Sequence, residues 1–412
     1  MKVALINPDS HTRFPQPPLG LLAIAGVLRA THQDVAILDF NSIAPNKITV
    51  GNVDIVGFTA TSLTYPEALK MSKKITQVPK VLGGVHATLF PEQALADGFD
   101  AVVVGEGDLS TYTMTTDWKG IIRSAELTDM DSLPILPYDL LDGYRYRASP
   151  IHSRHKPTMP MLTSRGCPWS CNFCSKAVFG SKYRAMSSRR VVEELQVLKS
   201  RGIREIAFYD DTFTVDRNRL LALCDEMAPL GLYWTCQARV NTVNGEILKA
   251  MRRAGCDVIA YGVESGSPDI LKGINKHITL EQAEEAIRRT HEAGIRSLAY
   301  FMFGSPGETK ETVEETIRFA IKLDPDYAQF SMCTPLPGSA LYERRQFLSY
   351  TGPQTNGVCS LSLPYLATAC SRAYLRFYGR PGHIFRELRS WSDAKVIASW
   401  WHVIRTAQRA AQ

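Results

Sequence analysis

Short apolar runs separated by helix-patterned segments recur along most of the chain, and this alternation constrains the fold more than any other feature of the sequence. In residues 1 to 125 the runs are Val3–Ile6, Val35–Leu38, Asp54–Thr59, Val81–Gly83 and Ala101–Val104. They lack the inside–outside alternation of a half-exposed strand, so both faces must be covered, as in a parallel sheet with helices on each side. Leu19–Ala30, Pro66–Thr76 and Pro91–Ala96 read as those helices. Pro66 and Pro91 suit a first helical turn, where a backbone N–H has no partner in any case. The expected fold is a doubly wound α/β sheet, which binds ligands in the crevice outside the carboxyl ends of its strands.

The segments at those ends are rich in glycine and hydroxyl groups. Thr59-Ala60-Thr61-Ser62 follows the third run, Gly83-Gly84-Val85-His86-Ala87-Thr88 the fourth and Gly105-Glu106-Gly107 the fifth, all read as loops. Glycines there let a large flat ligand approach the backbone, and hydroxyls meet its polar edge. Asn7-Pro8 ends the first run, and Pro17-Pro18-Leu19-Gly20 leads into the first helix. On these residues alone the ligand is nucleotide-like or flavin-like.

Residues 126 to 157 read as an irregular connector, with Pro134 and Pro137 followed by the basic stretch Arg145, Arg147, His152, Arg154, His155 and Lys156. That stretch is either a solvated loop or a contact for an anionic substrate or cofactor tail. From Met159 the alternation resumes. Strands are expected at Pro160–Thr163, Glu205–Tyr209, Tyr233–Gln237, Val258–Val263, Ser297–Phe303 and Tyr327–Met332. Helices are expected at Ser188–Ser200, Asp216–Ala228, Val243–Ala254, Leu280–Ala293 and Glu311–Leu323. Six strand–helix steps make an open, partial (β/α)6 barrel with its functional residues at the carboxyl ends of the strands.

The strongest chemical signal follows the first of these strands, in Arg165-Gly166-Cys167-Pro168-Trp169-Ser170-Cys171-Asn172-Phe173-Cys174. Thiolates of Cys167, Cys171 and Cys174 at this spacing reach three irons of one cubane and leave the fourth without a protein ligand. The next cysteine is Cys224, so no four-cysteine site forms locally. The same three thiols completed by His152 or His155 would make a zinc site instead.

A chain of 412 residues is too long for one ordinary core. With 45% hydrophobic and 21% charged residues it has the composition of a soluble globular protein. Met1 to Pro8 enters an apolar strand at once, with no signal-peptide pattern, and no apolar run is long enough to cross a bilayer, so a cytoplasmic protein is expected. The nine cysteines fit a reducing compartment. Residues 371 to 412 hold eight Lys or Arg against two Asp or Glu, interleaved with Val396, Ile397, Trp400, Trp401, Val403 and Ile404. Such a segment lies on an anionic membrane, caps a greasy substrate, or docks on the barrel as a helical lid. No nucleic-acid-binding module accompanies the charge.

The C-x3-C-x2-C loop, with Phe173 before its last cysteine, resembles that of the radical S-adenosylmethionine (SAM) superfamily. The resemblance implies a 4Fe-4S cluster on Cys167, Cys171 and Cys174, with SAM chelating the open iron and split by one electron to a 5′-deoxyadenosyl radical. It further implies that Asp210, in Tyr209-Asp210-Asp211-Thr212-Phe213, takes the SAM amino group, with Asp211 the other candidate. Arg239 would clamp the carboxylate, and Glu264 the ribose hydroxyls or the amino group. Gly304 and Glu308, in Phe303-Gly304-Ser305-Pro306-Gly307-Glu308-Thr309, belong to the segment that packs adenine.

The amino-terminal sheet resembles the cobalamin-binding domain that precedes many radical SAM cores, which assigns Asn7, Thr59, Ser62, Gly83, Gly84, His86, Gly105 and Glu106 to that cofactor. Asp9-Ser10-His11-Thr12-Arg13-Phe14 matches only the first half of the Asp-x-His-x-x-Gly motif that supplies a cobalt ligand, so His11 is expected to be an ordinary loop residue. The implied organisation is a cobalamin-binding domain at 1–125, a linker at 126–157, the radical SAM partial barrel at 158–345 and a helical region at 346–412. The implied activity is methyl transfer from methylcobalamin to an unactivated carbon of a small molecule, with flavodoxin or ferredoxin as electron donor. Radical cyclisation, ring contraction or oxidation of a tetrapyrrole or isoprenoid is the alternative, and a non-enzymatic cobalamin sensor a third.

Overall fold

A computed structural model describes residues 1–42, 52–149, 151–344 and 358–389. The apolar and basic tail from Val396 onward therefore lies outside the described residues. The chain forms two compact units that interleave in sequence. The first is Met1–Ser149, Thr158–Pro168 and Lys176–Gly202, and the second is Pro150–Pro157, Trp169–Ser175 and Ile203–Gln412.

In the first unit the elements are β1 (Lys2–Asn7), α1 (Leu19–Ala30), β2 (Asp34–Asp39), β3 (Ile55–Thr59), α2 (Tyr65–Ser72), β4 (Lys80–Gly83), α3 (Val85–Leu89), α4 (Pro91–Ala96), β5 (Ala101–Val104), α5 (Gly107–Thr111) and β6 (Gly120–Arg123). Next come β7 (Thr158–Met161), the short β8 (Ser164–Arg165) and β9 (Arg184–Ala185), and α6 (Ser188–Ser200). The large sheet is parallel, in the order β2-β1-β3-β4-β5-β6. Its winding reverses at β1, which is paired with β2 on one side and β3 on the other, so the ends of β1 and β3 open a crevice. Ala4, Ile6, Val56, Phe58, Leu82 and Val102 pack with Tyr65, Ala68 and Phe99 as one core.

Several expectations are corrected here. The strand β6 was not foreseen, because Gly120-Ile121-Ile122-Arg123 is too short an apolar run to signal one. Helix α2 stops at Ser72, short of Thr76. The segments after β4 and β5 are not simple loops, since helices begin at Val85 and Gly107.

The second unit contains β10 (Glu205–Phe208), α7 (Arg217–Met227), β11 (Tyr233–Ala238), α8 (Gly245–Arg253), β12 (Cys256–Glu264), α9 (Pro268–Gly273), α10 (Leu280–Glu292), β13 (Arg296–Phe303), α11 (Lys310–Leu323), β14 (Tyr327–Met332), α12 (Ala340–Arg344), α13 (Leu363–Tyr378) and α14 (Pro381–Arg389). Strands β10 to β14 pair in parallel and in chain order, the singly wound arrangement of an open barrel. Asp216, Asn244, Thr279 and Thr309 each cap a following helix by accepting from a backbone N–H one turn in.

Both ends of this sheet are closed by residues whose role the sequence left open. Ser153 Oγ, Arg154 N and His155 N all donate to Glu205 Oε2, at 2.7, 3.0 and 2.7 Å. His155 stacks on Tyr233 at 3.5 Å, and Ile151 packs against Val258, Ala260 and Leu298. This part of the basic stretch thus plugs the amino ends of the strands; it is neither a free loop nor placed to meet a ligand at the carboxyl ends. The aromatic and arginine run at Tyr374–Pro381 serves the edge strand. Ala328 N donates to Tyr378 Oη and Phe330 N to Tyr374 Oη, which gives β14 the partners an edge otherwise lacks. Among the described residues no helix is long and apolar enough to cross a membrane.

Candidate cofactor sites

In the first unit a cavity of about 160 Å³ opens beside the sheet's carboxyl ends. Thr59, Gly83, Gly84, Gly105 and Glu106 line it, as the sequence led one to expect, and Leu5, Ile24, Phe58 and Val103 make its apolar part. Gly84 sits at φ +92°, and a Cβ there would stand 2.8 Å from Thr59 Oγ1 and 3.1 Å from the Ala60 carbonyl oxygen. Only glycine holds that turn without strain. Asn7 reaches sideways instead, donating to Asp39 Oδ1 at 2.9 Å, and Tyr146 donates to the same buried carboxylate at 2.8 Å.

Two of the expected residues face elsewhere. His86 stacks 3.7 Å above Tyr65 in the core, and its Nδ1 is 3.2 Å from Ser62 Oγ. Burial pulls the imidazole below its ordinary pKa despite Asp97 nearby. Neither His86 nor Ser62 lines the cavity. His11 is exposed and pairs with Asp9 at 3.0 Å.

Sequence reasoning missed the charged wall of this cavity. Arg165, two residues before Cys167, is buried and donates through Nη1 to Glu106 Oε2 and Asp108 Oδ2, both at 2.6 Å. Arg184 reaches Glu106 Oε1 at 2.6 Å. Burial opposes the Arg165 charge, but its hydrogen bonds to both carboxylates and their negative charge outweigh it and raise the pKa. Val178 and Phe179, just past the cysteines, also line the cavity.

The second unit carries Cys171 and Cys174 on a tightly fastened loop. Asn172 N donates to Ile274 O at 3.0 Å, its Nδ2 to Gly273 O at 3.1 Å, and Leu341 N donates to Asn172 O at 3.0 Å. Asn275 Nδ2 adds a bond to Ser170 O at 2.7 Å. None of the three motif cysteines is in a disulfide. Among the described residues no three His, Cys, Asp or Glu side chains converge to hold an ion. His155 is committed to the amino end of the barrel, and His152 Nε2 lies 3.0 Å from Tyr300 Oη.

Arg239, directly after β11, is buried, and each of its guanidinium nitrogens has a protein partner. Nε is 3.3 Å from Asn241 Oδ1, Nη1 3.6 Å from Cys171 Sγ, and Nη2 donates to Lys276 O. Glu264, at φ +69°, pairs with the buried Lys276 at 2.6 Å, and Lys276 Nζ stands 5.7 Å from the Phe173 ring centroid. Lys276 was not foreseen, lying in the connection after α9 with no motif around it. Gly262 makes room for this pair, because a Cβ there would meet Glu264 Oε1 at 2.6 Å and Lys276 Nζ at 2.7 Å.

Glu308 turns inward on its own segment. Gly304 N and Ser305 N donate to its Oε2 at 2.8 and 3.0 Å, which fixes the Gly304 turn at φ +91°. Burial raises the Glu308 pKa against these bonds. Asp210 is fully buried at the end of β10, beside an exposed Asp211. Tyr300 sits across from Gly262 and Gln329 in register, with its pKa pushed up to about 12 by burial and by Tyr209 and Glu264.

The family models for the B12 binding domain and the radical SAM superfamily match residues 10–112 and 161–320. An uncharacterized methyltransferase of Pyrococcus horikoshii, PH0819, is 38% identical over 386 residues, 83% of each chain. The anaerobic magnesium-protoporphyrin IX monomethyl ester cyclase of Rubrivivax gelatinosus is 30% identical over 83% of this chain and 70% of its own. This chain belongs to the cobalamin-binding radical SAM enzymes. The fold agrees with that of the radical SAM methyltransferase TsrM from Kitasatospora setae, solved with cobalamin and a [4Fe-4S] cluster, at a TM-score of 0.68 and 18% identity over 86% of this chain and 78% of that one.

A cobalamin-binding radical SAM enzyme uses three cofactors: a 4Fe-4S cluster, SAM and cobalamin. The residues present fit them. The Gly84 turn, which a Cβ would obstruct, borders an apolar cavity suited to a flat macrocycle's appendages. Three thiols outside any disulfide, on a loop pinned by Asn172 and Asn275, are a donor set of the right chemistry for iron–sulfur ligation.

Proposed function

We propose that the protein transfers a methyl group from methylcobalamin to an unactivated carbon of a small molecule. The observation that carries this reading is the presence in one chain of a glycine-bordered crevice of the cobalamin type and a barrel whose strand ends carry the cysteine loop. When bound, the cluster and SAM supply the radical that removes a substrate hydrogen, and cobalamin supplies the methyl group.

The chain's own residues divide the work. Cys167, Cys171 and Cys174 ligate the cluster, an assignment that rests on their spacing and on the family. Phe173, Asp210, Arg239, Glu264, Gly304 and Glu308 shape the SAM site, with Glu308 acting through the Gly304 turn it fastens. Thr59, Gly83, Gly84, Gly105 and Glu106 border the corrin, and Asn7, Ser62 and His86, which do not line the cavity, are the remaining residues assigned to that cofactor. Tyr209 and Gln329, both exposed, offer a hydroxyl and an amide to a polar substrate. Working boundaries are 1–125 for the cobalamin domain, 126–157 for the linker, 158–345 for the barrel and 346–412 for the helical end.

An electron donor such as flavodoxin or ferredoxin and a cytoplasmic setting follow from the needs of an oxygen-sensitive cluster held by reduced thiols. Radical cyclisation is the second reading, favoured by the relative from Rubrivivax gelatinosus. Anaerobically reconstituted protein with methyl-labelled SAM and candidate tetrapyrrole substrates separates the two. Label in the product supports methyl transfer, an unlabelled cyclised product supports the second reading, and absence of 5′-deoxyadenosine defeats both.

A further inference from the structure

We infer that Arg239 is a positioning residue for the iron–sulfur cluster, setting its reduction potential through Cys171. The inference rests on the reading that the cysteine loop carries the cluster. Arg239 is 5% exposed, and its guanidinium carbon lies 4.6 Å from the centroid of the Trp169 ring. Nη1 points at Cys171 Sγ from 3.6 Å, while Asn241 and the Lys276 carbonyl hold the other two nitrogens.

The charge balance supplies the argument. Among the described residues no carboxylate lies within ion-pair distance of Arg239, whereas the adjacent Lys276 is neutralised by Glu264 at 2.6 Å. A buried guanidinium with hydrogen bonds but no counter-charge is still costly. The group it touches is a sulfur, and sulfur becomes the missing counter-charge when it ligates iron. A cubane on three thiolates is a net anion and gains one further negative charge on reduction. A fixed cation with an N–H aimed at a ligand sulfur favours the more negative state and so raises the potential. The Trp169 face and the Lys276 carbonyl keep the fork in that orientation, so the effect is built in before any SAM arrives.

The test is an anaerobic potentiometric titration of cluster-loaded protein with dithionite, the reduced fraction being read by electron paramagnetic resonance. Arg239→Gln is expected to keep its iron and to show a roughly tenfold lower ratio of reduced to oxidised cluster at fixed potential, about 59 mV for one electron. Arg239→Lys, which keeps the charge without the fork, falls between that variant and wild type. Asn241→Ala, which loosens the guanidinium from an exposed position, shifts the ratio in the same direction by less. If Arg239→Gln loses its iron, the other two variants decide the matter. An unchanged ratio in every iron-retaining variant overturns the inference. So does weaker SAM binding at an unchanged ratio, which assigns the guanidinium to the SAM carboxylate instead. A wild-type protein that takes up no cluster defeats the cluster assignment itself, and the inference with it.

Discussion

The two parallel sheets of this protein make ligand sites by opposite means. In the first, the winding reverses at β1, and the reversal itself leaves a crevice. Gly83, Gly84 and Gly105 keep that gap open above an apolar cavity, and the buried Arg165, Glu106 and Asp108 cluster forms one wall of it. In the second, β10 to β14 never reverse, so no gap arises between neighbours. That site is built instead from side chains delivered strand by strand, Arg239 after β11, Glu264 at the end of β12 and Gly304 after β13. Where topology supplies the space, glycines preserve it beside a charged wall; where topology supplies none, residues delivered from successive strands define it.

This contrast is open to direct attack. The largest effect is expected from Cys171→Ala, which should abolish both the iron–sulfur absorbance and SAM cleavage while leaving corrin binding intact. Iron content and 5′-deoxyadenosine formation measure it, and retained cleavage would sink the assignment of the loop. Gly84→Val attacks the other sheet. A branched side chain at φ +92° against Thr59 should weaken corrin binding by roughly 1–3 kcal/mol and spare the cluster, as followed by corrin absorbance titration.

Gly262→Leu should drive apart Glu264 and Lys276 and cost about 2 kcal/mol of stability, read from thermal unfolding, with corrin affinity unchanged. The smallest effects come from pH, and they have opposite signs at the two ends of the second sheet. Glu308 is buried and its pKa raised, so its contribution is complete below the ordinary glutamate range and is lost as pH rises through the raised value. Burial would also raise Asp326, but bonds from His291 and Ser297 overcome it and lower the pKa. Its contribution is present above the ordinary aspartate range and is lost as pH falls through the lowered value. Glu308→Gln and Asp326→Asn should each flatten the corresponding slope by roughly 1 kcal/mol, and stability-versus-pH curves with the same sign for both would contradict this account.

Most of the scaffold was legible in advance. Helix α6 has the expected limits, Ser188 to Ser200, and β5 the expected Ala101 to Val104, because an apolar period and a cap are local properties. The glycines bordering the first cavity were legible for the same reason. Not legible in the sequence were contacts that depend on a partner elsewhere in the chain. His86 follows a glycine pair at a strand end and looked like a ligand residue, yet the stacking surface of Tyr65 draws it into the core. The basic stretch around His155 read equally as a solvated loop or an anion contact, and Glu205 and Tyr233 take up its His155 end instead.

What the amino-acid order determined unaided was the succession of strands, helices and caps, and the placing of three thiols on one short loop, since each depends on neighbours within a few positions. Only the folded chain decided which charges meet. Arg239 reaches Cys171 across 68 positions and Arg165 reaches Glu106 across 59. Such pairings are set by how strands stack in a sheet, and Coulombic and hydrogen-bond energies act over ångströms in space, to which spacing along the chain is no guide.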